Sequence, residues 1–327
     1  MKPLARWRWK AEGRHRPGPG AGGSRIRACF DLLHPLQSGA TVIAALGFAL
    51  LFRPGRSVRR PNSALRAATG GDLRTSDVGR RASDPRRRLL LLGAMVGAQQ
   101  VAISLHNDWS DADLDRATKP WRAVPSGVVP AGAVRAAAWV LAAVSLVLAA
   151  PGGRRLVLLD AAGTGAGFVY NARLKRTPWS WLPFALAFPL IPLFGAAALD
   201  AWPRRWWTLF LVGAPAVLAV HLSDAIPDLE GDAQAGAGGL ARRLGRDRAT
   251  RLCLAALGGS ALVGIALGLA RGDRAALGGA GAALLLTILA GIRPETQRAA
   301  VPLGAAALGL GWVAAVAGDY PPPADAP

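Results

Sequence analysis

The chain has 327 residues, 52% of them hydrophobic, with a mean hydropathy of +0.28. Its formal charge is +19, from 39 basic and 20 acidic residues, but the basic residues gather in a tail and one loop or flank apolar runs, which argues for membrane boundaries and against a nucleic-acid partner. The only two cysteines, Cys29 and Cys253, exclude a disulfide scaffold and a cysteine metal site and read as unpaired thiols.

In chain order, residues 1–34 form a basic tail with several Gly and Pro, expected to be disordered. No small-residue cleavage site follows the first apolar run, so that run reads as a retained membrane helix. Nine apolar segments are predicted as helices: 36–52, 89–105, 131–150, 156–170, 181–199, 206–222, 252–270, 275–292 and 299–317. Each is long enough to approach or cross a hydrocarbon core of about 30 Å. Alternation of period two is missing, which argues against a barrel. The fold class predicted is therefore an all-α polytopic membrane protein, a bundle of about nine transmembrane helices around a central cavity. One membrane domain runs over 35–320, interrupted by a Gly-, Ser-, Pro- and Arg-rich loop over 53–88 that reads as disordered, and 321–327 form a C-terminal tail. Trp179, Trp181, Trp202, Trp206 and Trp207 flank segment ends as interfacial anchors do. With the N-terminus in the cytoplasm, the inside segments hold 22 Lys/Arg against 6 outside, as the positive-inside rule asks; the 11 in the 53–88 loop run against it.

Directly after the second segment, residues 107–115 read Asn-Asp-Trp-Ser-Asp-Ala-Asp-Leu-Asp. On a helix, Asn107, Asp111 and Asp115 form one stripe with Asp108 on its edge, whereas Asp113 points elsewhere. Acids at the mouth of an apolar helix repel one another and need a cation. After the sixth segment, Asp224, Asp228 and Asp232 repeat the spacing of four. Two facing clusters of carboxylate oxygens suit Mg²⁺, a hard cation that keeps waters and binds substrate phosphates. A metal-bridged diphosphate on a lipid tail is the natural guest, because the metal neutralises the leaving group.

Four stretches carry a family resemblance. The sequence Asn107-Asp108-x-x-Asp111-x-x-x-Asp115 resembles the first motif of the UbiA-type intramembrane prenyltransferases. Arg122-Ala123-Val124-Pro125-Ser126-Gly127 is similar to that family's R-P-x-P-S/A-G continuation, with Ala123 in place of the first Pro. Tyr170 to Lys175-Arg176 resembles its Tyr-to-Lys-Arg stretch, and Asp228-Leu-Glu-Gly-Asp232 its second motif, extended by Asp224. After Asp232, Gly238-Gly239 stand where the family often has a basic residue and Thr. The resemblance implies an Mg²⁺-dependent transfer from a prenyl diphosphate to an acceptor that is usually aromatic, as in quinone synthesis; the charge count puts both acidic stretches at the cytoplasmic side of the cell membrane. It implies Asn107, Asp108, Asp111 and Asp115 as metal ligands from one side and Asp224, Asp228 and Asp232 from the other, with Asp111, Asp115, Asp228 and Tyr170 in catalytic positions. Asn107, Lys119, Arg122 and Lys175 would hold the diphosphate, and Tyr170 would face the reacting carbon. A non-aromatic alcohol such as a glycerol or sugar phosphate is the alternative acceptor. An ion-coupled carrier is the alternative of another class.

Plainer roles fit the remaining polar residues. Asp113 and Glu230 read as solvated. Arg135, Arg176, Arg242 and Arg243 read as charge anchors. His106 and His221, each just before an acidic stretch, read as packing or interfacial residues, and His34 carries no argument.

Overall fold

The computed structural model describes residues 32–52, 84–227, 229 and 239–319. The expectations for the tail before Leu32, for 53–83, for Asp228, Glu230 and Asp232, and for Cys29 lie outside the described residues. Among the described residues all regular structure is helical. Nine helices have 17 residues or more: α1 Pro35–Leu51, α2 Pro85–Ser110, α4 Ala131–Ala149, α5 Gly153–Val169, α6 Leu182–Ala198, α7 Thr208–Ala225, α9 Arg246–Arg271, α10 Arg274–Ile292 and α11 Gln297–Ala317. Two short helices, α3 Ala112–Thr118 and α8 Leu240–Leu244, complete the set. The nine long helices coincide with the nine predicted segments to within a few residues at most ends.

Six stretches are long and apolar enough to cross a membrane, one of which contains both α4 and α5; α1 and α6 are shorter apolar helices. Lipid is what their outer faces demand. Leu36, Ile43, Val147, Leu269, Leu285 and Leu303 are all at least 60% exposed, spread around the bundle where water would leave large apolar patches uncovered. Trp179, Trp206 and Trp207 are exposed at helix ends, and Arg155 lies over the Trp202 ring at 5.1 Å, so the tryptophans sit as boundary anchors should.

Two sequence expectations are corrected at the edges. The loop expected to run disordered to residue 88 ends earlier, because α2 begins at Pro85. Asp84 caps it, its side chain accepting from the Arg86 N–H at 2.9 Å, and Pro at the first position loses no needed donor. Arg86, Arg87 and Arg88 are therefore the first turn of a helix. The tail expected to run to residue 34 is likewise structured at its end: Leu32 is buried against the second of two apolar cores.

Packing in the bundle relies on small residues. Without a hydrophobic force between helices in lipid, close backbone approach supplies van der Waals contact. A Cβ placed on Gly311 would lie 2.4 Å from the Ala275 carbonyl oxygen, and one on Gly279 would lie 2.5 Å from that of Ala307, so α10 and α11 touch backbone to backbone. Gly195 does the same for α6 against Ala49 of α1. α4 and α5 form a hairpin through Ala150–Gly152, and Gly153 holds the positive φ that turns the chain back. The smaller core, built from Leu32, Ala102, Leu105, Ala112, Ala123, Val124, Val134, Ala138, Ala142 and Phe168, lies under the polar end of α2. A cleft of about 250 Å³ opens at the other end of α2, lined by Arg87, Arg88, Leu91 and Leu92 and by the α4–α5 turn.

Gly311→Val should push α10 from α11 and cost about 2 kcal/mol by overpacking. The detergent-solubilised variant is expected to melt several degrees below wild type, whereas Gly281→Ala, whose new Cβ meets nothing within 4 Å, leaves the melting temperature unchanged.

Candidate active site

The site grows from the last turns of α2. The helix ends at Ser110, and Asp111 stands between it and α3. Hydrogen bonding still runs through the junction: the Asp111 N–H reaches the Asn107 carbonyl at 2.9 Å and the Asp115 N–H reaches the Asp111 carbonyl at 2.8 Å. The spacing of four therefore keeps its meaning across the break. Asp108, Asp111 and Asp115 are all buried. Asp113 points away, 92% exposed, and pairs with Arg116 on the surface.

Burying three carboxylates together is costly unless cations lie among them. The chain supplies these from three places. Arg122 is held in the loop after α3, where Ala123 and Val124 are buried and the Ala123 carbonyl accepts from the Val129 N–H and the Ser126 hydroxyl. Its Nη1 lies 3.0 Å from both Asp108 Oδ1 and Asp115 Oδ2, bridging them. Lys119 Nζ stands 3.6 Å from Asp115 Oδ1. The third source is a turn of π-helix, Tyr170–Leu174, directly after α5. A π turn inserts one extra residue and redirects the chain beyond it, and such turns recur at functional sites. Here it delivers Lys175, whose Nζ donates to Asn107 Oδ1 at 2.8 Å and to Asp111 Oδ2, and Arg176, whose Nη2 lies 3.7 Å from Asp111 Oδ1.

Four basic side chains thus face three carboxylates. The carboxylates are at most 11% exposed, while Arg122, Lys119, Lys175 and Arg176 are 31–55% exposed. The acids are fixed and the cations reach solvent, so the cations are the groups free to turn toward an incoming anion.

Two residues join this cluster that the sequence did not single out for it. His34, in a left-handed conformation just before α1, places Nε2 at 3.3 Å from Asp108 Oδ1. Nothing in the local sequence marks that contact, which spans 74 residues. Arg176, read as an anchor, faces Asp111 instead because the π turn carries it there.

An aromatic row leads away from the cluster. Tyr170 meets Phe184 edge-on at 4.7 Å, Phe184 lies 5.7 Å from His221, and His221 Nε2 is 2.9 Å from the Ser180 hydroxyl. Asp224 is exposed one turn beyond His221 on α7. His106 instead packs, stacked on Phe168 at 4.1 Å, with Ser110 at 3.3 Å from its Nδ1. Arg135 lies over the Trp109 ring at 5.5 Å. Arg242 and Arg243 lie on the short helix α8. Of the expected ligands and anchors, Asn107, Asp108, Asp111, Asp115, Lys119, Arg122 and Lys175 come together and Tyr170 stands at the start of the π turn; Asp228 and Asp232 are outside the described residues. Among the described residues no three His, Cys, Asp or Glu side chains are grouped as a metal centre. The donor set is nevertheless all oxygen, from one amide and three carboxylates, which is the chemistry that Mg²⁺ takes.

An apolar helical bundle bearing carboxylates and cations at one end is an integral-membrane protein with a site for charged groups at the membrane surface. The sequence pattern of the UbiA prenyltransferase family matches residues 78–301, and the chain belongs to this family. It is 35% identical over 167 residues to the digeranylgeranylglyceryl phosphate synthase of Methanoregula boonei, a match that covers 48% of this chain and only 57% of that one. Among solved structures, a digeranylgeranylglyceryl phosphate synthase superposes with a TM-score of 0.67 at 14% identity, over 90% of this chain and 98% of that one. A UbiA homologue from Archaeoglobus fulgidus bound to GPP and Mg²⁺ superposes with a TM-score of 0.60 at 16% identity, over 89% and 99% of the two chains. At these identities the superpositions establish the fold.

Arg122→Ala should leave Asp108 and Asp115 without their bridge. Two buried carboxylates then share the loss of one cation, with His34 left beside Asp108 and Lys119 beside Asp115, at a cost of about 2 kcal/mol, so the variant is expected to melt below wild type in detergent. Asp113→Ala, which removes a surface pair worth well under about 1 kcal/mol, should melt with wild type.

Proposed function

We propose that the protein transfers a prenyl group from a prenyl diphosphate to a hydroxyl-bearing acceptor in an Mg²⁺-dependent reaction at the cytoplasmic face of the membrane. The observation that carries this reading is the cluster itself: three buried carboxylates, an amide oxygen and four basic side chains at one end of an apolar bundle. Asn107, Asp108, Asp111 and Asp115 would hold Mg²⁺ from one side and Asp224, Asp228 and Asp232 from the other. Bound there, the metal would neutralise the diphosphate as it leaves.

The chain's own residues account for the rest. Lys119, Arg122 and Lys175 turn from the carboxylates to the phosphate oxygens and stabilise the charge that develops there. The bond from the allylic carbon to the diphosphate oxygen breaks, and the electron pair leaves with the diphosphate. Tyr170, in its row with Phe184, offers an aromatic face to the carbocation. The acceptor oxygen bonds to that carbon and releases its proton to water. The apolar helices take the isoprenoid tail.

The acceptor favoured is an alcohol of glycerophosphate type. Its support is the likeness to a synthase named for digeranylgeranylglyceryl phosphate, over the part of that protein matched. An aromatic acceptor is the second reading, supported by the row of Tyr170, Phe184 and His221. The substitution of Gly238-Gly239 for a basic residue and Thr removes one candidate phosphate anchor of the family's pattern.

Purified protein supplied with Mg²⁺, a prenyl diphosphate and either a glycerophosphate lipid or a hydroxybenzoate should release diphosphate with only one of them. Mass spectrometry of the product names the acceptor. Asp111→Asn and Asp228→Asn are each expected to lower turnover at least about a hundredfold while the protein remains folded; wild-type turnover in both would refute the site. Chelation of divalent metal should stop the reaction, and readdition of Mg²⁺ should restore it.

A further inference from the structure

One carboxylate lies far from this cluster. Asp160, in the middle of α5, is fully buried among apolar helices. An ionisable side chain inside a membrane bundle is expensive and is kept where it does something. Both of its oxygens are engaged: Gln99 Nε2 of α2 donates to Oδ1 at 2.7 Å and also to the Asp160 carbonyl at 3.1 Å, and the Ser145 hydroxyl of α4 donates to Oδ2 at 2.8 Å. Three helices meet on one side chain.

The contact is the deepest rung of a ladder that ends at the site. α2 and α5 both run toward the carboxylate cluster. Along α2, every fourth residue from Gln99 meets α5 or the turn that extends it. Gln99 meets Asp160, and the Ile103 carbonyl accepts from Asn171 Nδ2 at 3.0 Å. Asn107 accepts from Lys175 at 2.8 Å, and Asp111 accepts from the same amine. Gly163 and Gly167 let the two helices approach: a Cβ on the first would lie 3.0 Å from Gln99 Nε2, and on the second 2.8 Å from the Ile103 side chain. Gln99 stands two rungs, about 12 Å, below Asn107.

We propose that Asp160 is a positioning residue for the diphosphate site, fixing the register of α2 against α5 and α4 so that Asn107 and Asp111 meet Lys175. The neighbouring rung is a single hydrogen bond from the Asn171 side chain to the Ile103 carbonyl, beside glycine packing. Asp160 instead takes hydrogen bonds from two helices at once, Gln99 of α2 and Ser145 of α4, which fixes both against α5. A slip at this rung would carry the cluster with it, because a helix transmits displacement along its length.

The test uses the full chain in detergent with Cys29→Ser as background, comparing Asp160→Leu and Asp160→Asn. The asparagine keeps an acceptor for Gln99 and a polar partner for Ser145; leucine keeps the volume and removes both. Spin labels on cysteines replacing Leu114 and Val169, both exposed, report the distance between the two sides of the ladder by pulsed EPR. Asp160→Leu is expected to move or broaden that distance and to weaken binding of a radiolabelled prenyl diphosphate with Mg²⁺ at least about tenfold, the scale of losing an outer support of a metal site. Asp160→Asn should match wild type within about twofold in binding and leave the distance unchanged. The second readout rests on the function proposed above, and the first does not. If the distance shifts but wild type binds no prenyl diphosphate, the functional reading fails and the register role stands. An unchanged distance in folded Asp160→Leu overturns the proposal, as does an Asp160→Asn variant displaced as far as the leucine variant.

Discussion

Buried negative charge at the end of an apolar helix is the constraint that shapes the site end of this protein. Asp108, Asp111 and Asp115 are held out of water, and each has a basic side chain within 3.6 Å. Those cations come from parts of the chain that would otherwise be ordinary connections. The loop after α3 is folded around a buried Ala123 and Val124 in a way that aims Arg122, and α5 continues into a π turn that aims Lys175 and Arg176. The connections are thus as specific in structure as the helices they join, because the carboxylates require it.

A second constraint comes from the bilayer. With little hydrophobic difference between a neighbouring helix and a lipid tail, the bundle holds together through close approach and a few directional polar contacts. Glycines do the first at Gly279, Gly311 and Gly195. Gln99, Asp160 and Ser145 do the second, and so does Cys253, whose thiol donates to the Ala219 carbonyl at 3.2 Å. Pro189, Pro192, Pro215 and Pro302 sit inside helices, tolerated because neighbouring helices can take up the freed carbonyls.

Much of this is legible in the sequence, and the part that is not has a physical reason. The nine helices are visible because each must be apolar over its length, a signal that needs no partner. The stripe of Asn107, Asp111 and Asp115 is visible because it depends only on helical spacing, and it survives a helix break at Asp111 that spacing does not reveal. Arg86 to Arg88 read as loop because their charge outweighs the Asp84-Pro85 start signal in front of them. His34 and Arg176 escape a sequence reading for a different reason. Their roles depend on chain segments that meet only in the fold: one across 74 residues, the other after a turn with one residue too many. Asp160 gives a plain signal, a lone acid inside an apolar run, that two acidic stretches elsewhere overshadow.

The hairpin between α4 and α5 has a consequence for how the chain is made. Its turn spans three residues, Ala150–Gly152, and is followed at once by Gly153, whose φ is positive. Too little chain is left there for the two helices to enter the bilayer at separate times and places. They are best inserted as a pair, with Ser145 and Asp160 already facing each other across the turn. The lone carboxyl group of α5 then never has to enter lipid without a partner, and the least favourable residue for insertion travels with the hydroxyl that receives it.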